Sequence, residues 1–365
     1  MKEEIKNLLE ETVRKYLYEW EVRHSEYPDH LWHYTSVAGV KGLLSEGKLW
    51  FSTAAFLNDS TELSYAVDIA DEVIKQRIDD PNMDLLVKEY LESFLASIKG
   101  DREHRQDLGF INPAFVACFC KEGDSLHLWR AYTGNGRGYS IGFFPDVIIR
   151  SLKPLLIDET ILIKREDKDA PKASPHIARL YKPVLREVIY EESEQKELLN
   201  KVIDSFSQII IANKSEFQSG NVNNWTKRAF ISNLNSIFYE YLSCFKHPTF
   251  KEEKEWRFIY SPNIFEKTKE QGDFDRGKIE YRESGGYIVP YLKVNIAEVL
   301  ESVEDGKIKT GKPIRALRLP FEVIISGPGL DGKLARASLN SFILRRGYLD
   351  TLIYIEHSSV PLRNM

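Results

Sequence analysis

Residues 31–53, LWHYTSVAGVKGLLSEGKLWFST, decide the fold. Leu31, His33 and Thr35 alternate with Trp32 and Tyr34 in the two-residue rhythm of a strand, so His33 shares a face with Thr35. Ser36 then stands where a helix N-cap belongs. Val37, Val40, Leu43 and Leu44 recur at helical spacing, and Gly47 follows where a left-handed cap needs no Cβ. A second apolar run, Leu49–Ser52, completes a strand, helix, strand unit. The imidazole of His33 at the mouth of the first turn fits either a ligand cradle or a satisfied structural histidine.

Outward from this unit, the first 22 residues predict an amphipathic helix through Ile5, Leu8, Leu9, Val13, Tyr16, Leu17 and Trp20, packed on the core or on a partner. Phe56–Glu62, FLNDSTE, reads as a turn into helices near 62–77 and 83–99. A strand at 114–120, a short helix at 124–132 and a strand at 139–144 follow. The intervening Thr133–Gly138 loop is either a close-approach site for an anion, with Arg137, or a flexible connection. Residues 164–175 read as an exposed excursion. Long helices are expected over 192–215 and 222–246, the second with a core stripe from Phe230 to Phe245. The C-terminal third returns to strands at 256–260, 279–282, 287–294, 321–326 and 351–356. Gly327-Pro328-Gly329 leads into a helix from about Leu330 without the Lys-Ser/Thr of a phosphate-binding P-loop. The expected organisation is an N-terminal helix over 1–25 and one composite α+β domain over 26–365, with helical insertions near 62–100 and 192–246.

Length bounds the chemistry. A chain of 365 residues, 42% hydrophobic and 29% charged, can bury a large core without staples. No apolar run approaches bilayer length and the start, MKEEIKNLLE, has no signal core, so a cytoplasmic setting without membrane contact is expected. Three cysteines argue against a disulfide framework. A net charge of −5 gives no global attraction to polyanions, which leaves only local patches for nucleic acid. No spacing of histidines or cysteines suggests a zinc site, and no G-x-S-x-G elbow suggests a serine hydrolase.

The second informative stretch is Lys251–Tyr260, KEEKEWRFIY. If its strand begins early, Glu253, Glu255 and Arg257 fall on one face, with the two carboxylates about 7 Å apart. Such a pair can stabilise a developing positive charge with one member and orient a nucleophile with the other; a solvated turn before a strand is the alternative reading. Glu252-x-Lys254 also mimics part of a metal-dependent nuclease site. No Asp lies between Asp204 and Asp273 to supply its upstream ligand.

Taken together, HYTS, FLNDSTE, AFVACFCKEGDSLHLWRAYTGNGRGYSIGF, EKEWRFIY, VIISGPG and SSVPLR resemble the bacterial family known as domain of unknown function 2971, from about Leu31 to Arg363. More distantly, LWHYTSVAGVKGLLSEGKLW is similar to the first motif of the ADP-ribosyltransferase superfamily, although Tyr34 stands where many members have Gly. That resemblance implies an ADP-ribosyltransferase-like mixed-sheet core and NAD as substrate, while the large helical insertions exceed a minimal fold of that kind. It makes His33 the ribose-binding residue and Glu255 the catalytic carboxylate, with Glu253 the first member of an E-x-E-like pair. Tyr132 or Trp129 would stack on nicotinamide, and Tyr34, Thr35, Ser52, Asn58 and Arg257 complete the candidate nucleotide contacts. His33 and Glu255 are then expected to face one another across one cavity. The acceptor is a nucleic acid, a protein or water. A toxin or phage-defence effector, with a partner or antitoxin bound through the N-terminal helix, would suit the resemblance. The non-enzymatic alternative is a nucleotide-sensing or partner-binding module.

Overall fold

Phe115–Cys120, β3, is the strand on which the architecture turns, because nearly every one of its side chains is buried and both of its faces are covered. The computed structural model describes residues 2–23, 27–57, 62–104, 114–160, 176–218, 225–263, 274–300, 316–346 and 353–361. Before β3 come α1 (Lys2–Arg23), β1 (Leu31–Thr35), α2 (Val37–Glu46), β2 (Lys48–Thr53), α3 (Glu62–Asp79) and α4 (Leu85–His104). After it come α5 (Leu126–Tyr132), β4 (Tyr139–Phe143), α6 (Pro145–Ser151), β5 (Leu155–Thr160) and β6 (His176–Glu187). The helices α7 (Glu192–Ala212), α8 (Lys214–Gln218) and α9 (Trp225–Leu242) follow, then β7 (Glu255–Asn263), β8 (Asp275–Gly277), β9 (Ile279–Ser284) and β10 (Tyr287–Asn295). The chain closes through β11 (Glu298–Leu300), β12 (Ala316–Arg318), β13 (Phe321–Ser326), α10 (Gly332–Arg345) and β14 (Tyr354–His357). The excursion expected at 164–175 lies outside the described residues, apart from the neighbouring strands.

Among the described residues, twelve strands form one mixed sheet, ordered β14-β13-β4-β1-β3-β7-β6-β5-β8, with β2, β10 and β9 branching from β3. The strand, helix, strand unit creates the branch. Its first strand pairs with the Cys120 end of β3 and its second with the Phe115–Val116 end, both antiparallel. Between them α2 is capped as the sequence indicates: Gly39 N–H donates to Ser36 Oγ at 3.1 Å, and Gly47, at φ 64°, donates to the Leu43 carbonyl at 2.8 Å.

The sheet separates two large apolar clusters. One face carries Val116 and Ile259 against α1, α3, α4, α7 and α9; the other carries Phe119, Trp256 and Phe258 against α2, α6 and α10. The stripe from Phe230 to Phe245 is core, as its spacing suggests. The apolar face of α1 is also used internally. Ile5, Leu9 and Val13 are buried in the helical cluster, and Tyr16 Oη donates to the Lys201 carbonyl at 2.7 Å. Among the side chains described on this helix, Leu8 is the exposed large apolar one. No described helix is long and apolar enough to cross a membrane.

Candidate functional site

The strand expected over 256–260 begins at Glu255, so the earlier start that would have put Glu253 on it does not occur. Pro248–Glu253 is a 3-10 helix opened by Pro248, and Lys254 follows in the left-handed region at φ 45°. A residue with a Cβ reaches that conformation only at a cost. Here it reverses the chain so that Glu253, still helical, and Glu255, already in β7, meet the same ammonium. Lys246 Nζ donates to Glu253 Oε2 at 2.7 Å and to Glu255 Oε2 at 2.9 Å. The turn carrying Lys246 is itself fixed. Lys246 N–H donates to the Ile189 carbonyl, Ile189 N–H to the Cys244 carbonyl, and buried Gln195 donates to the carbonyls of both Ile189 and Lys246.

Arg257 extends the cluster. Its Nε and Nη2 donate to the two oxygens of Glu255, both at 2.9 Å, its Nη1 to the Ser243 carbonyl at 2.6 Å, and Nη2 also to Glu62 at the start of α3. Tyr132 Oη, at the end of α5, donates to Glu253 Oε2 at 2.8 Å, and the main-chain N–H of Glu255 donates to Tyr190 Oη at 3.0 Å. Three carboxylates and two cations are thus tied together with Glu255 3% and Arg257 1% exposed. Directly across the strand pair, Arg186 of β6 stands opposite Arg257. It carries its own partner, Glu240 of α9, through two hydrogen bonds of 2.9 and 2.6 Å. Each buried guanidinium has a carboxylate, which is the condition for burying it.

Electrostatics follow from this wiring. Burial alone would raise the Glu255 carboxyl, but Arg257 and Lys246 outweigh it and hold it down to about 2. Glu62 moves the other way, because burial outweighs Arg257 there. Burial, then Glu255 and Glu253, push Tyr132 far up, so its phenol stays neutral and donating. Beside Tyr190, a cavity of about 160 Å³ is lined by Glu187, Glu191, Glu194 and Lys251.

The other candidate residues are placed by strand register. Trp32 stands opposite Cys120, and Cys120 opposite Glu255. Opposite residues share a face, so Tyr34 and Trp32 of β1 lie on the same side as Cys118, Cys120, Glu255 and Arg257. His33 and Thr35 are one step out of phase and point to the other side, where His33 meets the ring of Phe119 at 5.4 Å. The shared cavity expected between His33 and Glu255 is therefore not formed: the sheet itself stands between them. His33 Nδ1 instead hydrogen-bonds the Cys118 carbonyl at 2.9 Å, in the fork where β1 and β2 part. Burial lowers its basicity, so the imidazole is neutral and Nδ1–H is the donor to that carbonyl.

Trp129 is 0% exposed; its Nε1 donates to Asp124 at 2.7 Å and its ring meets that of Tyr34 in a T-shaped contact at 4.9 Å. It cannot stack on a nicotinamide. Tyr34 Oη donates to the Glu122 carbonyl and accepts from Ser125 N–H. Thr35 packs so tightly on the start of α2 that a Cβ on Gly39 would stand 2.0 Å from its hydroxyl. Ser52, on the Glu255 side of the sheet, accepts from Arg282. Asn58 lies outside the described residues. The two glycine motifs turn out to serve one another. Gly327 N–H donates to the Gly138 carbonyl, Gly329 N–H to the Gly136 carbonyl, and a Cβ on Gly327 would stand 2.3 Å from Gly136 O. Close backbone packing accounts for both.

Sequence reading missed Glu62, Lys246, Tyr190 and the pair Arg186–Glu240. The only available signal was arithmetic: a buried Arg257 requires acids, and Glu62 was read merely as the start of a helix.

These features define an α+β protein with a forked twelve-strand mixed sheet and a buried ionic seam between the sheet and its helical layer. Residues 128–258, from α5 into β7, match the family model described as "Protein of unknown function (DUF2971)". No curated protein and no solved structure matches the chain.

Proposed function

We propose that the chain is an ADP-ribosyltransferase-like enzyme that takes NAD as substrate and passes ADP-ribose to a protein or nucleic-acid acceptor, working from the Glu253–Glu255 side of the sheet. The observation that supports this reading is the convergence of two carboxylates on Lys246, with the Tyr132 phenol holding the outer one. Breaking the bond between ribose and nicotinamide builds positive charge on the ribose, and a fixed carboxylate beside it favours the transition state over the ground state. Glu253 and Tyr132, whose own phenolic proton goes to Glu253, suit ribose hydroxyls as acceptors. His33 and Trp129 have no part in this version, since one faces the other side of the sheet and the other is fully enclosed.

The test is nicotinamide release from NAD by the purified chain, with protein and nucleic-acid acceptors supplied separately. Glu253→Gln should slow release on the order of 10²- to 10³-fold, as loss of a preorganised electrostatic partner does elsewhere, while His33→Ala leaves it unchanged. Wild-type protein that releases no nicotinamide with either acceptor sinks the reading.

A second reading is favoured by one feature. Both oxygens of Glu255 are already occupied by Arg257 and Lys246, as in a structural lock rather than a poised catalyst. It makes the chain a non-catalytic nucleotide-sensing or partner-binding module, for which NAD binds without turnover and Glu253→Gln alters affinity alone.

A further inference from the structure

On the branch formed by β2, β10 and β9, the register places Trp50 and Ser52 on the same face as Tyr291, Lys293, Glu280 and Arg282. Among the described residues, the charges named on this face are paired except for Arg282. Lys293 lies within 3.4 Å of Glu46 and 3.3 Å of Glu280, and Glu280 also accepts from Tyr291 Oη at 3.0 Å. Among the described residues Arg282 has no carboxylate partner. Its Nη2 donates to the Ser52 hydroxyl at 2.8 Å, and its Nε is buried without a hydrogen-bond partner. The guanidinium rests 5.6 Å from the Trp50 ring and 5.8 Å from the Tyr291 ring. Trp50 Nε1 is a second buried donor without an acceptor among the described residues. The contrast with Arg186 and Arg257, each matched to buried acids, is chemical: a partly buried cation beside unused donors lacks an anion.

We propose that Arg282, with Ser52 and Trp50, is a binding site for the phosphate group of a nucleotide. A guanidinium fork matches phosphate geometry, and stacking on aromatic rings holds that fork in place. The ring that would receive the base is also present. Tyr287 lies on the same face of β10, is 67% exposed, and has Phe56 beside it at 6.5 Å. This site is built from different residues than the Glu253–Glu255 seam and does not rest on the NAD reading.

Calorimetric titration of the full chain with AMP, inorganic phosphate and a short oligothymidylate tests it. Wild-type protein should bind AMP with a Kd of about 1 mM or tighter, and more weakly as salt rises. Arg282→Gln should weaken AMP at least about tenfold, and Tyr287→Ala should weaken AMP while leaving inorganic phosphate unchanged. Oligothymidylate binding much tighter than AMP identifies the source as a nucleic-acid strand; equal affinity identifies a free nucleotide. Should Arg282→Gln not fold, as judged by its melting curve, Arg282→Lys carries the test, because it keeps the charge and loses the fork. Absence of AMP binding to the wild type, or wild-type affinity in the folded Arg282 variant, overturns the proposal.

Discussion

Single side chains in this molecule are explained by what they leave satisfied. The imidazole of His33 fills the fork between β1 and β2, where the Cys118 carbonyl meets a side chain. His33→Ala should therefore lower stability by about 1–3 kcal/mol, the cost of an unpaired buried acceptor, measured as a fall in the urea midpoint. Glu255 belongs to acid stability. Its folded value of about 2 lies below its ordinary 4.5, so its contribution is complete above 4.5 and disappears as pH falls toward 2. Glu62, raised by burial, opposes this by gaining as pH falls. Circular dichroism against pH should show wild-type unfolding steepening between 4.5 and 2, with that steepening lost in Glu255→Gln. An identical profile for the two proteins would contradict the assignment.

At the scale of elements, the informative joint is the one between the loop after α5 and the loop after β13. Three consecutive residues, Gly134, Asn135 and Gly136, have positive φ, and the second loop lies directly on the first. Asp124 closes the same region by accepting from Ser358 Oγ and from Ser359, which ties the segment after β14 to the base of α5. Gly327→Ala forces a Cβ against the Gly136 carbonyl and should cost about 1–3 kcal/mol, seen as a lower Tm. Gly134→Ala meets no neighbouring atom, so its penalty comes from φ alone.

For the whole molecule, the seam is where helices dock on the sheet through charge. Glu62 comes from α3, Glu240 from α9, Ser243 and Lys246 from the turn after it, and Arg186, Glu255 and Arg257 from adjacent strands. Apolar packing continues beyond the seam through Val116 and Ile259. Arg257→Met leaves the buried carboxylates of Glu62 and Glu255 short of their shared guanidinium and should cost about 3–5 kcal/mol. Hydrogen exchange should accelerate in α3 and α9 more than in α2 and α10, which pack on the other face. Uniform acceleration would mean that the network does not anchor the helical layer in particular.

Local order was legible in the sequence because it depends on near neighbours: the caps Ser36 and Gly47, the alternation in β1, the helical period of the α9 stripe, and the turn chemistry between them. The grouping of Glu255 with Arg257 was legible for the same reason and rests on strand alternation in β7, while Lys254 in a left-handed conformation, rather than alternation, brings Glu253 to them. Which face of the sheet each strand residue meets depended on pairing between β1, β3 and β7, whose segments are far apart in the chain. A register is set by tertiary packing, and one step of phase sends a side chain to the opposite face. That single step separates His33 from Glu255, while Glu62 and Lys246, unremarkable in sequence, are drawn in because a buried guanidinium and its acids must find one another.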